Sequence, residues 1–172
     1  VWFLIMIRRQ PRATLYPYTT LCRSRAHIAQ TMAFYAPNEI DPNGGFFHYY
    51  RDNGTVYDGS HRHLVSSTRL VFNHAMAFRE FGKAEDREAV KHGIAYLRKV
   101  HRNPDTGGYA WTLRDGVVAD ATNHCYCVAF VLLSYSCALQ PGIGEARSRM
   151  DETSSLLYAP SWAPVFVLYT AD

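Results

Sequence analysis

One arginine has a type and a position that could serve a chemical reaction. Arg69 lies in the stretch HLVSSTRLVFNHAMAF, where small and apolar side chains recur at helical spacing. Burying an unpaired guanidinium on an apolar helix is costly, whereas a planar cation can stabilise an oxygen on which negative charge develops. From the residues alone, the simpler interpretation is a buried ion pair between Arg69 and a carboxylate, without any ligand.

The acidic side chains and the thiols form no recognisable catalytic or metal-binding pattern. A glycoside hydrolase needs a well-placed pair of carboxylates, but Asp58, Asp115 and Asp120 fall where turns and helix caps explain them better. Cys125 and Cys127 are two residues apart, so a helix would point them to different faces. The sequence lacks the spacings typical of zinc ligands, and we expect no metal. Four cysteines without a pairing pattern are typical of reduced thiols in a cytoplasmic protein.

The composition describes a globular domain with a modest positive charge. Hydrophobic residues make up 48% and charged residues 19% of the 172 residues, which excludes a disordered chain. A net charge of +3 without a basic stripe argues against nucleic acid as a partner. The apolar run Val1–Ile7 is too short to cross a bilayer and precedes its arginines, unlike a signal peptide, so we expect no membrane segment. The twelve tyrosines, nine phenylalanines and three tryptophans suit either a packed core or a site where rings stack on sugars.

The sequence contains an internal repeat with an offset of about 62 residues. Asp41–Phe78 and Pro104–Leu139 each open with a proline near a Gly-Gly pair, continue through aromatic residues to Arg-Asp, and end in a long apolar run. The pairs Asn53-Gly54 and Asp115-Gly116 each stand between two extended runs and predict a β-hairpin turn. Each unit is therefore predicted to contain a glycine turn, a short β-ribbon and a helix.

The elements that would position these residues are mainly helices. Five helices are predicted, at Arg25–Tyr35, Ser60–Phe81, Glu85–His101, Thr122–Leu139 and Gly144–Tyr158. The final stretch, SWAPVFVLYTAD, is predicted to begin a further ribbon. A period of about 60 residues with two helices per unit is longer than the common helical repeats and fits an all-α (α/α) toroid. In that arrangement the apolar fourth helix belongs to an inner ring, the charged third helix to an outer ring, and the β-ribbons lie at one mouth.

Two stretches carry a resemblance to a known family. DPNGGFFHYYRDNGTVYD with HRHLVSSTRLVFNHAMAFREFG, followed by NPDTGGYAWTLRDGVVADATNHCYCVAFVLLSYSCAL, resembles the N-acylglucosamine 2-epimerase family. That family includes mannose isomerases, aldose–ketose isomerases and cellobiose 2-epimerases. The resemblance runs from Arg25 to Asp172. It implies an (α/α)6 barrel, of which this chain would supply about the first two and a half hairpin units, as an incomplete toroid.

The resemblance also implies a chemistry and a set of residues. Members transfer a proton next to a sugar carbonyl through an enediol-like intermediate, with histidines as acid and base and without a redox cofactor. Arg69 matches the family arginine that holds the carbonyl end of the sugar, and Tyr126 matches an aromatic residue that contacts it. Trp111 and His63 are further candidate substrate-binding residues, although ribbon packing and a structural role at a helix start explain them at least as well. The implied partner is a small-molecule sugar, and a homo-oligomer is compatible with the resemblance.

The chain departs from the family pattern at two positions. Some related isomerases have a tryptophan where Val65 stands and a histidine where Val128 stands. The principal acid and base of the family lie in later repeats, so we expect them beyond residue 172 and name no catalytic residue in this chain. Two other classes stay open. One is another (α/α) barrel carbohydrate-active enzyme, such as a glycoside hydrolase or polysaccharide lyase, and the other is a non-catalytic sugar-binding helical module.

The first 24 residues differ in character from the rest. TLYPYTTLCRS resembles TLFPYTTLFRS, one reading frame of a common sequencing-library adapter, and the family-like sequence begins directly after it. We therefore expect residues 1–24 to be a non-native segment and residues 25–172 to be the N-terminal part of the barrel domain.

Overall fold

The computed structural model describes residues 18–36 and 38–157, and the chain divides into two compact units, residues 1–35 and 36–172. In the first unit, helix α1 spans Tyr18–Tyr35, so it begins at Tyr18 rather than at the predicted Arg25. Residues 18–24 contain neither proline nor glycine, and nothing in them stops a helix from extending. The helix ends before Pro37, as predicted. The ribbon predicted in SWAPVFVLYTAD lies outside the described residues.

The second unit alternates β-hairpins with pairs of helices. In chain order its elements are β1 (Tyr49–Tyr50), β2 (Val56–Asp58), β3 (His61–His63), α2 (Leu64–Phe81), α3 (Ala84–Tyr96), β4 (Thr112–Arg114), β5 (Val117–Asp120), α4 (Cys125–Ala138) and α5 (Glu145–Leu157). The described part of the chain is mostly helical, as predicted, with two small antiparallel sheets. None of its helices is both long enough and apolar enough to cross a membrane.

Both predicted hairpin turns are confirmed. Strands β1 and β2 pair around Asn53-Gly54, where Gly54 has a φ of 81° and Asn53 Oδ1 accepts a hydrogen bond from Thr55 N at 3.1 Å. Strands β4 and β5 pair around Asp115-Gly116, whose φ values of 51° and 75° both lie in the left-handed region. Asp-Gly and Asn-Gly favour these turns because both residue pairs tolerate positive φ.

Strand β3 is an element that the sequence did not predict. The prediction that a helix starts at Ser60 is wrong. His61–His63 instead pairs antiparallel with β4 and makes the second sheet three-stranded, in the order β3-β4-β5. Asp58 Oδ1 accepts hydrogen bonds from the N–H groups of Ser60 and His61, at 2.9 and 3.1 Å. These bonds favour a turn over a first helical turn at this point. The start of α2 is thereby attached to the β-ribbon of the following repeat.

Local interactions set the ends of α2 and α3. At the start of α2, His63 Nδ1 accepts a hydrogen bond from Val65 N at 3.2 Å. At its end, Gly82 adopts a left-handed φ of 69°, as the sequence predicts for a helix stop. The predicted helix Glu85–His101 is regular only as far as Tyr96, and Leu97–His101 forms a π-helical turn. This turn brings His101 back towards the core, where it is fully buried.

The core of the second unit lies between α2, α3 and α4. Helix α2 packs against both α3 and α4, and α4 packs against α5. Fully buried side chains from several elements meet here: Phe46, Leu64, Val71, Val90, Leu97, Val131 and Tyr135. Helices α2 and α3 approach closely at Gly93, where a Cβ would lie 2.5 Å from side-chain atoms of Phe46 and Val71.

Helix α4 is only partly covered, although its apolar sequence predicts burial on most sides. Tyr126 is 57% exposed and Leu133 is 42% exposed, and Ala129 between them is exposed as well. These three positions recur at helical spacing, so they form a continuous apolar surface, which we call the α4 strip. Nothing within residues 38–157 packs over this strip.

Candidate functional site

The N-terminal ends of α2 and α4 lie against one tryptophan. The ring centroid of Trp111 is 4.2 Å from that of His63, which precedes α2, and 4.6 Å from that of His124, which precedes α4. The two ring pairs are edge-to-face, at 71° and 65°. The Trp111 carbonyl accepts a hydrogen bond from Leu64 N at 3.0 Å, which joins the tryptophan to the first turn of α2. We call these three rings the His–Trp–His cluster.

Arg69 lies in α2 and is exposed. Its guanidinium carbon is 5.1 Å from the centroid of the Phe130 ring, within the range of a cation–π interaction. No carboxylate in the described ranges 18–36 and 38–157 forms an ion pair with Arg69. The alternative interpretation from the sequence, a buried arginine–carboxylate pair, is therefore absent from this part of the chain.

Tyr126 continues the surface that Arg69 and Phe130 begin. Its ring centroid is 4.9 Å from that of Phe130, at 61°, and its side chain is too exposed to be part of the core. Val65 and Val128, the two positions at which the sequence analysis expects a departure from the family pattern, are buried. Arg69, Phe130 and Tyr126 thus form a row across the two helices, which we call the Arg–Phe–Tyr row.

His63 connects the two groups electrostatically. Partial burial lowers the pKa of His63 from its ordinary value, and the neighbouring side chains of Arg69 and His124 lower it further. Because Nδ1 accepts the hydrogen bond from Val65 N, the neutral ring carries its proton on Nε2. The structural role at a helix start that the sequence suggests for His63 is present, because this side chain caps the first turn of α2.

A chain of buried and partly buried hydrogen bonds begins at the backbone of His63, in the His–Trp–His cluster. The backbone N–H of His63 donates to His48 Nδ1 at 3.0 Å, so His48 carries its proton on Nε2, which lies 3.3 Å from Ser67 Oγ. The Ser67 hydroxyl donates to His101 Nε2 at 3.2 Å, and His101 Nδ1–H donates to the Ala110 carbonyl at 3.1 Å. We call His48, Ser67 and His101 the His–Ser–His relay. It ties α2, the π-helical turn and the second β-ribbon together.

Burial keeps both relay histidines neutral. Burial, then the charge of Arg62, lowers the pKa of His48 to about 3. Burial likewise lowers the pKa of His101 to about 4, against the opposing effect of its hydrogen bond to Ala110. Each bond in the relay therefore has a fixed direction at neutral pH. Spacing in the sequence could not reveal this relay, because its members lie on three separate elements.

A comparison of the two repeats could have identified His124 and Phe130, which the sequence analysis missed. His63 and His124 occupy the same place, immediately before α2 and α4 respectively, and Arg69 and Phe130 each stand six residues further on. Aligning the repeats on their helix starts, rather than on their Gly-Gly pairs, pairs these positions. Arg69 and Phe130, which hold equivalent positions in successive repeats, are in contact in the folded chain.

The acidic side chains serve turns, as the sequence indicates. Asp58 binds the backbone after β2, Asp115 has a left-handed φ of 51° in a hairpin, and Asp120 Oδ1 accepts a hydrogen bond from Thr122 N at 2.8 Å. In the part of the chain that the structure describes, no three His, Cys, Asp or Glu side chains are arranged to hold a metal ion.

The arrangement suits a ligand with oxygen atoms. An exposed arginine without a carboxylate partner can donate hydrogen bonds to a carbonyl or hydroxyl oxygen. Neighbouring aromatic faces offer apolar surface of the kind on which C–H groups of a ring pack. The site, as far as it is described, can bind and polarise an oxygen, but its only nearby imidazoles, His63 and His124, are packed on Trp111.

Known proteins resemble the chain in sequence and in fold. The D-mannose isomerase of Marinomonas mediterranea is 51% identical over 144 residues, which are 84% of this chain and 36% of that enzyme. A crystal structure of a D-mannose isomerase superimposes with a TM-score of 0.77 at 50% identity, covering 84% of this chain and 36% of the other. The cellobiose 2-epimerase of Bacillus thermoamylovorans, at 18% identity, shares the fold with a TM-score of 0.73, covering 82% of this chain and 37% of the other.

The chain therefore spans a little over a third of the length of these relatives. The model of the N-acylglucosamine 2-epimerase family matches residues 45–171, which is most of the chain and includes the Arg–Phe–Tyr row and the His–Trp–His cluster. The family expected from the sequence is confirmed: the chain belongs to the N-acylglucosamine 2-epimerase family.

Proposed function

We propose that the protein to which this chain belongs is an aldose–ketose isomerase or 2-epimerase that moves a proton next to a sugar carbonyl. The observation that carries the proposal is the exposed Arg69, which has no ion-pair partner in the described residues and lies beside aromatic rings in a chain of this family. Of the two reactions we favour isomerisation of mannose, because a relative with half of its matched residues identical is a D-mannose isomerase.

Arg69 has one task in this proposal. Its guanidinium donates hydrogen bonds to the sugar carbonyl oxygen and stabilises the charge that develops there as the neighbouring carbon loses its proton. His63, neutral and with its proton on Nε2, can orient a hydroxyl group of the same sugar. The acid and base that move the proton are expected outside this chain, so the 172 residues alone should not turn over a sugar.

We also propose that the helices around the site are part of an (α/α)6 toroid that this chain leaves incomplete. The α4 strip is the surface that an (α/α) toroid leaves open when the next inner helix is missing, so it supports an incomplete toroid of the (α/α)6 type. Cys125, Cys127 and Cys137 are free thiols, which supports a reducing compartment such as the cytoplasm.

A chimera tests the proposed function. Residues 25–172 replace the matching third of the Marinomonas D-mannose isomerase, and the purified chimera is assayed for conversion of mannose to its ketose and for 2-epimerisation of cellobiose. Mannose turnover that the isolated 172-residue chain lacks would support the proposal. A folded chimera that binds sugar without converting it would favour the non-catalytic sugar-binding module, and one that releases reducing sugar from a glycoside would favour the hydrolase.

A further inference from the structure

We propose that Phe130 is a positioning residue for Arg69: its ring holds the guanidinium plane in the orientation from which Arg69 meets a ligand oxygen. The inference rests on the proposed function, in which Arg69 contacts the sugar. It assigns a role in the site to α4, a helix from the next repeat.

Arg69 needs such a support because it is exposed. A long exposed side chain populates many rotamers, and binding a ligand in one of them costs the conformational entropy of the rest. Within the described residues, no carboxylate pairs with Arg69, and the contact that orients its guanidinium is the Phe130 ring at 5.1 Å. A contact that narrows the rotamers before binding lowers this cost.

Phe130 is itself well fixed. It is half-buried and packs against the core, and its ring meets Tyr126 edge-to-face at 4.9 Å. The next residue in α4, Val131, is fully buried, so the helix cannot easily rotate about this position. The ring is therefore a stable surface against which the more mobile arginine can lie.

An aromatic ring suits this role better than a carboxylate would. A carboxylate would hold the guanidinium but would also neutralise it and use its N–H donors. A ring face attracts the cation through its quadrupole and leaves the N–H groups at the guanidinium edge available for a ligand. The charge of Arg69 then remains available for an oxygen that becomes negative during the reaction.

Three variants of the whole 172-residue chain test the contact between Phe130 and Arg69 without the need to measure enzyme activity. Phe130→Leu keeps apolar volume but removes the ring, Phe130→Trp keeps a ring face, and Leu133→Ala changes α4 one turn further along as a control. The readout is the ¹⁵N heteronuclear NOE and the chemical shift of the Arg69 side-chain Nε–H group. We expect a lower NOE and an averaged shift in Phe130→Leu, with values near the parent in Phe130→Trp and Leu133→Ala. An Arg69 signal unchanged by Phe130→Leu, or changed equally by Leu133→Ala, would overturn the inference.

The same substitutions in the active chimera connect the contact to catalysis. Phe130→Leu should lower kcat by about fivefold and leave KM within about twofold, with recovery in Phe130→Trp, because the arginine acts mainly on the transition state. Equal losses in both Phe130 variants, together with a lower Tm, would show a packing role only and contradict the inference. Failure of the unsubstituted chimera to turn over any sugar would count against the proposed function, while the NMR measurement would still decide whether Phe130 orients Arg69.

Discussion

Arg69 shows how a charged residue can be positioned without being buried. The sequence pattern places it on a helix of mainly apolar and small residues. In the structure Thr68 is buried, whereas the following residue, Arg69, lies on the exposed side of α2. What marks it as a candidate for ligand binding is the lack of a carboxylate partner in the described residues, together with its contact to an aromatic ring.

Replacing this arginine should reduce turnover strongly while the fold is kept. In the chimera, Arg69→Lys retains the positive charge but loses the planar pair of donors, so kcat should fall by about 10²–10³. Arg79→Lys, at another exposed arginine in the last turn of α2, is the control and should have little effect. Steady-state kinetics with mannose gives the result, and nearly unchanged kcat in Arg69→Lys would remove this residue from the site.

The His–Ser–His relay predicts that stability decreases in acid. The pKa values of His48 and His101 are about 3 and about 4 in the folded chain, below the ordinary value of 6.5. Between pH 6.5 and these lowered pKa values, the unfolded chain therefore binds more protons than the folded chain. As a result, the free energy of unfolding falls as the pH decreases from about 6.5 towards 4. Above pH 6.5 the contribution of the relay is fully present.

Urea unfolding at a series of pH values measures this effect. His101→Gln removes one titrating group, so its unfolding free energy should fall less steeply between pH 6.5 and 4.5 than that of the parent. His74 acts in the opposite direction: although burial opposes it, the buried carboxylates of Glu39 and Asp86, each 2.8 Å away, raise its pKa. Its contribution is lost only as the pH rises through that raised value, so it does not mask the acid effect. Parallel pH profiles for the parent and His101→Gln would contradict the prediction.

At the scale of elements, local signals were predictable from the sequence and long-range contacts were not. The Asn53-Gly54 and Asp115-Gly116 turns follow from residue pairs that favour positive φ, and Gly82 marks a helix end for the same reason. Strand β3 was missed because its partner, Thr112–Arg114, is far away in sequence and three residues are too few to show alternation. The contact of Phe130 with Arg69 depends on how α2 packs on α4, which neither helix encodes alone.

The close approach of α3 to α2 should make Gly93 intolerant of a larger residue. Alanine is the better helix former by about 1 kcal/mol, but its Cβ would lie 2.5 Å from Phe46 and Val71 side-chain atoms. Overpacking of this kind typically costs about 1–3 kcal/mol, so Gly93→Ala should lower the free energy of unfolding. Asn73→Ala, at an exposed position of α2, controls for helix propensity and should be neutral or stabilising. Chemical denaturation decides between these outcomes, and a stabilised Gly93→Ala would show that the helices can separate at little cost.

At the scale of the whole molecule, the α4 strip should govern how the isolated chain behaves. A continuous exposed apolar surface favours association, so the 172-residue chain should self-associate as its concentration rises. Leu133→Glu places a charge in the strip and should shift the chain towards monomer in sedimentation experiments. Val117→Glu, at an exposed apolar residue of β5 outside the strip, is the control and should not. Equal effects of both variants would mean that added charge, rather than the strip, prevents association.

Deleting residues 1–24 should leave the Tm unchanged or raised, if this segment is not native. Residues that were never selected for packing are not expected to stabilise a fold. Because the deletion removes the first turns of α1, a shorter deletion of residues 1–17 leaves that helix whole and serves as a comparison. A clear decrease in Tm with the longer deletion alone would show that the N-terminal part of α1 contributes to stability.

The pairing of β3 with β4 determines where this chain can be recombined with its relatives. Strand β3 precedes α2 yet pairs with strand β4 of the following ribbon, so that His61 lies opposite Arg114 and His63 opposite Thr112. Successive repeats are therefore interlocked, and they are not separable cassettes. A crossover between β3 and β4 would leave each parental strand facing a foreign partner, whereas one placed at Gly59, before β3, would transfer strand, helix and partner ribbon together.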